Sequence, residues 1–123
     1  YQIEYGRDWV SAFVNYYLGK SHVEDVASGC AMAALTTEVV RAGPKVQAAF
    51  EEKMMNIAEL VAVGLAGNSD EDRRARAWAM LGILIGGVNV TRAMKTSNVA
   101  HEIAESIKTA AIKVAGRARV TTR

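Results

Sequence analysis

The chain has 123 residues, half of them hydrophobic and 23% charged, which is the composition of one globular domain. Its net charge of +2 is too small to indicate a nucleic-acid-binding surface. The single cysteine excludes an intrachain disulfide and favours a reducing, cytoplasmic setting. The longest stretch without a charge runs from Ala77 to Thr91, shorter than the roughly 20 residues of a membrane span, so we expect no membrane partner.

Apolar residues recur at spacings of three and four along most of the chain, which predicts helices, and we find no alternating pattern typical of a strand. We therefore predict an all-α fold in a single domain, residues 1–123, built as a bundle of five helices. The predicted helices run from Glu4 to Leu18, from Cys30 to Ala42, from Pro44 to Ala66, from Glu71 to Lys95, and from Ser97 or Asn98 to about Ala118.

Local chemistry predicts several of the helix ends. Gly43 is expected to stop the second helix, and Pro44 fits the first turn of the third, where its missing N–H costs nothing. Ser69 and Asp72 have the spacing of a capping box at the start of the fourth helix. We expect Ser97 or Asn98 to cap the fifth.

The last two predicted helices should form an antiparallel hairpin, because few residues separate them. Both are apolar over wide arcs, and Gly82, Gly86 and Gly87 inside the fourth helix suit a close approach between helices. The first three helices can cover one side of the hairpin, so we expect the other side to pack against a second copy in a two-fold, four-helix-bundle dimer interface. The residues expected at this homodimer interface are Trp78, Leu81, Gly82, Ile85, Val88, Ile103, Ile107 and Val114.

Aromatic side chains and methionines from the first three helices are expected to converge on the inner face of the fourth. Such side chains suit a mostly apolar cavity for a small molecule, but they equally suit a solid core, and both alternatives stay open. The residues of the expected ligand-binding pocket are Trp9, Phe13, Tyr16, Tyr17, Met32, Phe50, Met54, Ile57 and Asn89. Asn89 lies in an apolar helix, so it either finds polar partners in this pocket or fixes the register of the dimer.

Little in the sequence points to catalysis. The motifs of a serine nucleophile, a zinc protease and a P-loop are absent, and neither His22 nor His101 has a second ligand at metal spacing. We expect no enzyme activity, no metal and no cofactor. Cys30 opens a predicted helix after Gly29, where a thiolate is favoured, so it is a candidate thiol sensor; the alternative is a small buried residue.

The order of these features resembles the C-terminal domain of TetR-family transcriptional regulators over about residues 8–116. The strongest pieces are GCAMAALTTEVVRAGPKVQAAF at residues 29–50 and RRARAWAMLGILIGG at residues 73–87. The resemblance implies a domain that binds a small effector and dimerises through its last two helices, while an N-terminal helix-turn-helix domain binds operator DNA. We find no helix-turn-helix in this sequence, which does not begin with methionine, so we expect it to be a piece of a longer protein.

These observations support three hypotheses. The first is the effector-binding and dimerisation domain of a TetR-like repressor, in which a small apolar ligand shifts the DNA affinity of the N-terminal domain. The second is a structural helical dimerisation module that binds no ligand. The third is a thiol or electrophile sensor that acts through Cys30.

Overall fold

The computed structural model describes residues 2–18 and 36–119. Their helices are α1 (Gln2–Tyr5), a 3-10 helix (Gly6–Asp8), α2 (Trp9–Tyr17), α3 (Thr36–Ala42), α4 (Pro44–Val63), α5 (Asp70–Arg92) and α6 (Ser97–Ala115). These residues contain no β-strand, so the all-α prediction is confirmed. Each of the five predicted helices overlaps a helix of the structure, although residues 30–35 of the second lie outside the described residues.

The first predicted helix is interrupted near its start. Gly6 has a φ of +54°, in the left-handed region that favours glycine, and α1 gives way there to the 3-10 helix. α2 then buries Trp9, Val10, Val14 and Tyr17 on one side. The spacing of apolar residues predicted one helix here and did not predict the break.

The boundary between α3 and α4 is formed as expected. Gly43 has a φ of +95°, which ends α3, and Pro44 is the first residue of α4. The inner side of α4 is buried, and it consists of Met54, Ala58, Val61 and Ala62.

α5 supplies the largest share of the core. Its N-cap is Ser69, whose Oγ accepts a hydrogen bond from the Asp72 N–H at 3.1 Å, as the capping-box spacing predicts. One side of the helix is buried from Ala77 to Thr91, and the buried residues are Ala77, Met80, Leu81, Leu84, Gly87, Val88 and Thr91. Among the described residues, no helix is long and apolar enough to cross a membrane.

α6 runs antiparallel to α5, as the short connection predicts. The two helices lie close together at Gly87, where an added Cβ would lie 2.5 Å from Cγ2 of Ile107. The N-cap of α6 is Thr96, with extended backbone angles, rather than the predicted Ser97 or Asn98. Ser97 is already the first helical residue of α6, so the N-cap lies one residue before the first of the two predicted positions.

The ends of α4 and α6 are joined by a backbone pairing that the sequence did not predict. α6 ends at Ala115, earlier than expected, because Gly116 turns the chain with a φ of +72°. An isolated antiparallel bridge then links Leu65 to Ala118. We call residues 64–66 and 116–119 the C-terminal joint.

Two side chains hold the C-terminal joint to the rest of the fold. The indole Nε1 of Trp9 donates to the Gly64 carbonyl at 2.8 Å. The guanidinium of Arg76 donates to the carbonyls of Ala66 and Ala115, and its Nε donates to Asp72 Oδ2 at 3.0 Å. The joint thereby connects the start of α2, the ends of α4 and α6, and the first turns of α5.

Candidate functional site

One side of α5 is exposed and carries no charge over most of its length. We call it the outer face, and it consists of Ala75, Trp78, Ala79, Gly82, Ile85, Gly86, Asn89 and Val90. All of these residues are exposed except Ile85, which is half-buried; Trp78 is 38% and Val90 48% exposed. Because solvated helix faces usually carry charged residues, an uncharged face of this length is a candidate contact surface.

Two glycines lie at the centre of the outer face. A Cβ built on Gly82 or Gly86 meets no atom within 4 Å, so these glycines fill no role inside the protomer. Glycine lowers helix stability by about 1 kcal/mol relative to alanine, so their presence here suits a partner backbone that approaches closely. Gly87, one residue further, is the glycine that the α5–α6 contact requires.

The apolar surface continues onto α6. Val99, Ile103, Ala110 and Val114 recur at helical spacing beside Ile107, which contacts α5. Val99 is exposed and the other three are half-buried. α6 therefore carries apolar groups of its own that are exposed or half-buried.

The structure corrects part of the predicted dimer interface. Leu81 and Val88 were expected there, but they are 1% and 0% exposed in the core of the protomer and cannot reach a partner. The other residues predicted for the interface are exposed or half-buried, and that interface stays a prediction; they are Trp78, Gly82, Ile85, Ile103, Ile107 and Val114. Apolar residues occur on all sides of this helix in the sequence. Their spacing therefore could not distinguish the side that faces the core from the side that faces outward.

Most of the predicted pocket residues that lie in the described part of the chain belong to one packed cluster. Trp9, Tyr17 and Met54 are buried in the core, and Phe13, Phe50 and Ile57 pack against it. The rings of Phe13 and Tyr17 have centroids 5.9 Å apart. This packing favours the solid-core alternative, and ligand binding by these residues stays a prediction.

Two of the predicted pocket residues, both polar, lie outside that cluster. Tyr16 is 57% exposed, and Asn89 lies on the outer face, so neither contributes to a buried pocket. The remaining candidates, Met32 of the pocket and the possible thiol sensor Cys30, lie outside the described residues, together with His22.

The structure contains a cavity that the sequence did not predict. It measures about 750 Å³, is partly open, and lies where α5 turns into α6. Its apolar lining is formed by Leu18, Met94, Ala100 and Ala104, and its charged lining by Arg92, Lys95, His101, Glu105 and Lys108. None of the predicted pocket residues lines it. The signal available in the sequence was the spacing of His101, Glu105 and Lys108 on one side of α6, which on its own indicates only a solvated helix face.

An ion pair shapes the charge of this cavity. Lys108 Nζ lies 2.9 Å from Glu105 Oε2. The hydrogen bond and the positive charge of Lys108 lower the pKa of the Glu105 carboxyl and outweigh the opposing effect of burial. Glu105 is therefore a carboxylate at neutral pH, and it forms an ion pair with Lys108.

A smaller hollow of about 320 Å³ lies at the other end of α5, between Glu59, Arg74 and Arg119. Its acidic and basic groups are mixed, so it favours neither sign of ligand. Within the described part of the chain, no group of three or more His, Cys, Asp or Glu residues could hold a metal ion. No family model, curated protein or solved structure matches the chain.

Proposed function

We propose that the chain is the dimerisation and effector-binding domain of a TetR-like transcriptional repressor, with a second copy of itself as partner. The observation that carries the proposal is the outer face of α5, which is uncharged, exposed and centred on Gly82 and Gly86. The N-terminal DNA-binding domain that the resemblance implies would receive the signal when an effector favours one arrangement of the helices.

The two exposed glycines suit an antiparallel pairing of α5 with α5 of the second copy. The two-fold axis would lie between Gly82 and Gly86. In such an interface the same patch contacts itself, as in most homodimers, and Gly82 of one copy faces Gly86 of the other.

The dimer is tested by sedimentation equilibrium on the chain and its variants. Wild type should have twice the mass of the 13.2-kDa chain at micromolar concentration. Gly86→Glu should give a monomer, because the carboxylate would be buried without a partner, while the open space around Gly86 lets the protomer fold unchanged. Asn56→Glu, on the exposed side of α4, is the matched control and should leave the mass unchanged.

A pair of opposite charges tests the register. Gly82→Lys alone should also be monomeric, and mixing it with Gly86→Glu should restore a heterodimer through a Lys–Glu contact across the axis. A monomeric wild-type chain, or a Gly86→Glu variant that stays dimeric, would show that the outer face is not the interface.

A structural dimerisation module without a ligand is the second candidate function. The observation that favours it is the packing of Trp9, Tyr17 and Met54 in the core, at the place where an apolar effector was expected. Thermal melting against a panel of small molecules separates the two candidates, because a ligand that binds the folded state raises the melting temperature. A dimer that no compound stabilises supports the purely structural role.

A further inference from the structure

The cavity at the turn between α5 and α6 has an excess of positive charge. Arg92, Lys95 and Lys108 line it together with one carboxylate, Glu105, so three cations against one anion leave a net charge of +2. A ligand that enters this cavity is therefore favoured by a negative charge of its own.

The same cavity has an apolar floor. Leu18 and Ala104 are buried, Met94 is half-buried, and all three line it. Its volume of about 750 Å³ lies in the range of about 300–1,000 Å³ that small-molecule sites occupy. An inorganic anion would leave this floor uncovered, and a neutral apolar molecule would gain nothing from the cations.

We propose that this cavity binds a small organic acid, a carboxylate attached to an apolar chain or ring. The carboxylate would lie at Lys95 and would compete with Glu105 for Lys108, whose Nζ is 2.9 Å from Glu105 Oε2. The apolar part would cover Leu18, Met94 and Ala104. The inference rests on the effector-binding part of the proposed function, for which it names the place and the ligand class. Because Lys95 lies in the connection and Lys108 past the middle of α6, the ligand would contact both the turn and the body of α6.

The test measures the binding of octanoate to the full chain through the chemical shifts of the backbone amides. Octanol, which lacks the charge, and inorganic phosphate, which lacks the apolar chain, are the two comparison ligands. Octanoate should shift the amides of Met94, Ala100 and Ala104 in a saturable way, and octanol and phosphate should bind more weakly. The Lys95→Gln/Lys108→Gln variant should bind octanoate about tenfold or more weakly, because it loses both charge-assisted contacts and leaves Glu105 facing the ligand.

Two further variants keep the inference falsifiable if the double variant folds poorly. Lys45→Gln/Lys113→Gln removes the same charge outside the cavity and should bind octanoate as wild type does. Glu105→Gln removes the only carboxylate among the lining residues and should bind octanoate more tightly. No saturable binding to wild type, equal affinity of the two double variants, or equal binding of octanol or phosphate would overturn the inference.

The oligomeric state is measured on the same samples. A dimer that does not bind octanoate overturns this inference and leaves the dimerisation proposal standing. A monomer that binds octanoate at these residues overturns dimerisation and supports the ligand site.

Discussion

At the scale of single residues, three neighbouring glycines of α5 have different surroundings. Gly87 lies against Ile107, so its missing side chain lets α6 approach. Gly82 and Gly86 face open space in the protomer. The same amino acid therefore has an internal role at one position and none inside the protomer at the other two.

We expect Gly87→Ala to destabilise the protomer and Gly82→Ala to stabilise it. The new methyl at position 87 would lie 2.5 Å from Cγ2 of Ile107. Overpacking costs about 1–3 kcal/mol and the gain in helix propensity is about 1 kcal/mol, so Gly87→Ala should lower the free energy of unfolding by up to about 2 kcal/mol. Gly82→Ala, with no atom within 4 Å, should raise it by about 1 kcal/mol.

Denaturant unfolding in the Gly86→Glu background measures both changes without a contribution from association. The Ile107→Ala background supplies the control, because the cost of Gly87→Ala should largely disappear there. An equal effect of the two alanine substitutions would contradict the assigned contact between Gly87 and Ile107.

The sequence could not distinguish these glycines. All three lie in one uncharged run, and which of them meets α6 depends on where the second helix crosses the first. Likewise, the apolar residues Leu81, Val88 and Trp78 look equivalent in the sequence, while the structure buries the first two and exposes the third. Periodicity predicts that a face is apolar, but the burial of each residue also depends on neighbours distant in the chain.

Also at the residue scale, we expect Lys108→Gln to raise the pKa of Glu105 toward its ordinary value, since the hydrogen bond and charge of Lys108 are the main causes of the lowered pKa. The pKa of the folded state is below that of the unfolded state. The stabilisation is therefore present above the unfolded pKa and is lost as the pH falls through the folded pKa. The melting temperatures of wild type and variant should differ at pH 7 and converge at acid pH.

An NMR titration of the Glu105 carboxyl checks the direction directly, which matters because exposed ion pairs change stability only slightly. Lys113→Gln is the control, with the same loss of charge on the same helix. A Glu105 pKa that is unchanged in Lys108→Gln would show that the pair does not form in solution.

At the scale of elements, the C-terminal joint connects the ends of α4 and α6 to the start of α5 through Arg76. One guanidinium donates to two carbonyls. Ala66 lies just after the end of α4, and Ala115 is the last residue of α6. A planar group with five N–H donors can bridge two carbonyls at fixed angles, and a lysine ammonium on a flexible stem cannot reproduce this geometry.

We predict that Arg76→Met lowers the free energy of unfolding by about 2–3 kcal/mol, since hydrogen bonds to charged groups contribute about 1.5–3 kcal/mol and these are partly exposed. Arg76→Lys should recover less than half of this loss. Arg74→Met, an exposed position in the same helix turn, should change stability by no more than about 0.5 kcal/mol.

Amide hydrogen exchange gives a local reading of the same change. The Ala66 and Arg119 amides donate across the C-terminal joint, and they should lose protection in Arg76→Met before the core of α5 does. Similar stability of the Arg76 and Arg74 variants would contradict the role assigned to Arg76.

The sequence predicted helix ends where the cause is local. Gly43, Pro44 and Ser69 act through their own backbone or through a residue three positions away. The C-terminal joint was missed because it pairs residues 64–66 with residues 117–119, and no local pattern marks such a contact. The cavity was missed for the same reason, since Leu18 and the α5–α6 turn meet only in the folded chain.

At the scale of the whole molecule, the hairpin of α5 and α6 brings two candidate surfaces together. The outer face lies along the hairpin, and the cavity lies at its turn, between the end of one helix and the start of the next. A ligand that changes the packing at the turn would change the angle between two helices that also form the proposed interface. Ligand binding and dimerisation are thus expected to influence each other, with equal coupling in both directions.

If the second copy covers the outer face, the stability of the fold must depend on chain concentration. A dimer couples association to folding, so we expect the melting temperature to rise between low and high micromolar concentration and to become constant in Gly86→Glu. Trp78 reports the same event, because it is on the outer face while Trp9 is buried in the protomer. On dilution its fluorescence should shift to longer wavelength as the indole enters water, and the shift should be absent in Trp78→Phe. A melting temperature and an emission spectrum that are both independent of concentration, for a chain of monomer mass, would leave the outer face without its proposed partner.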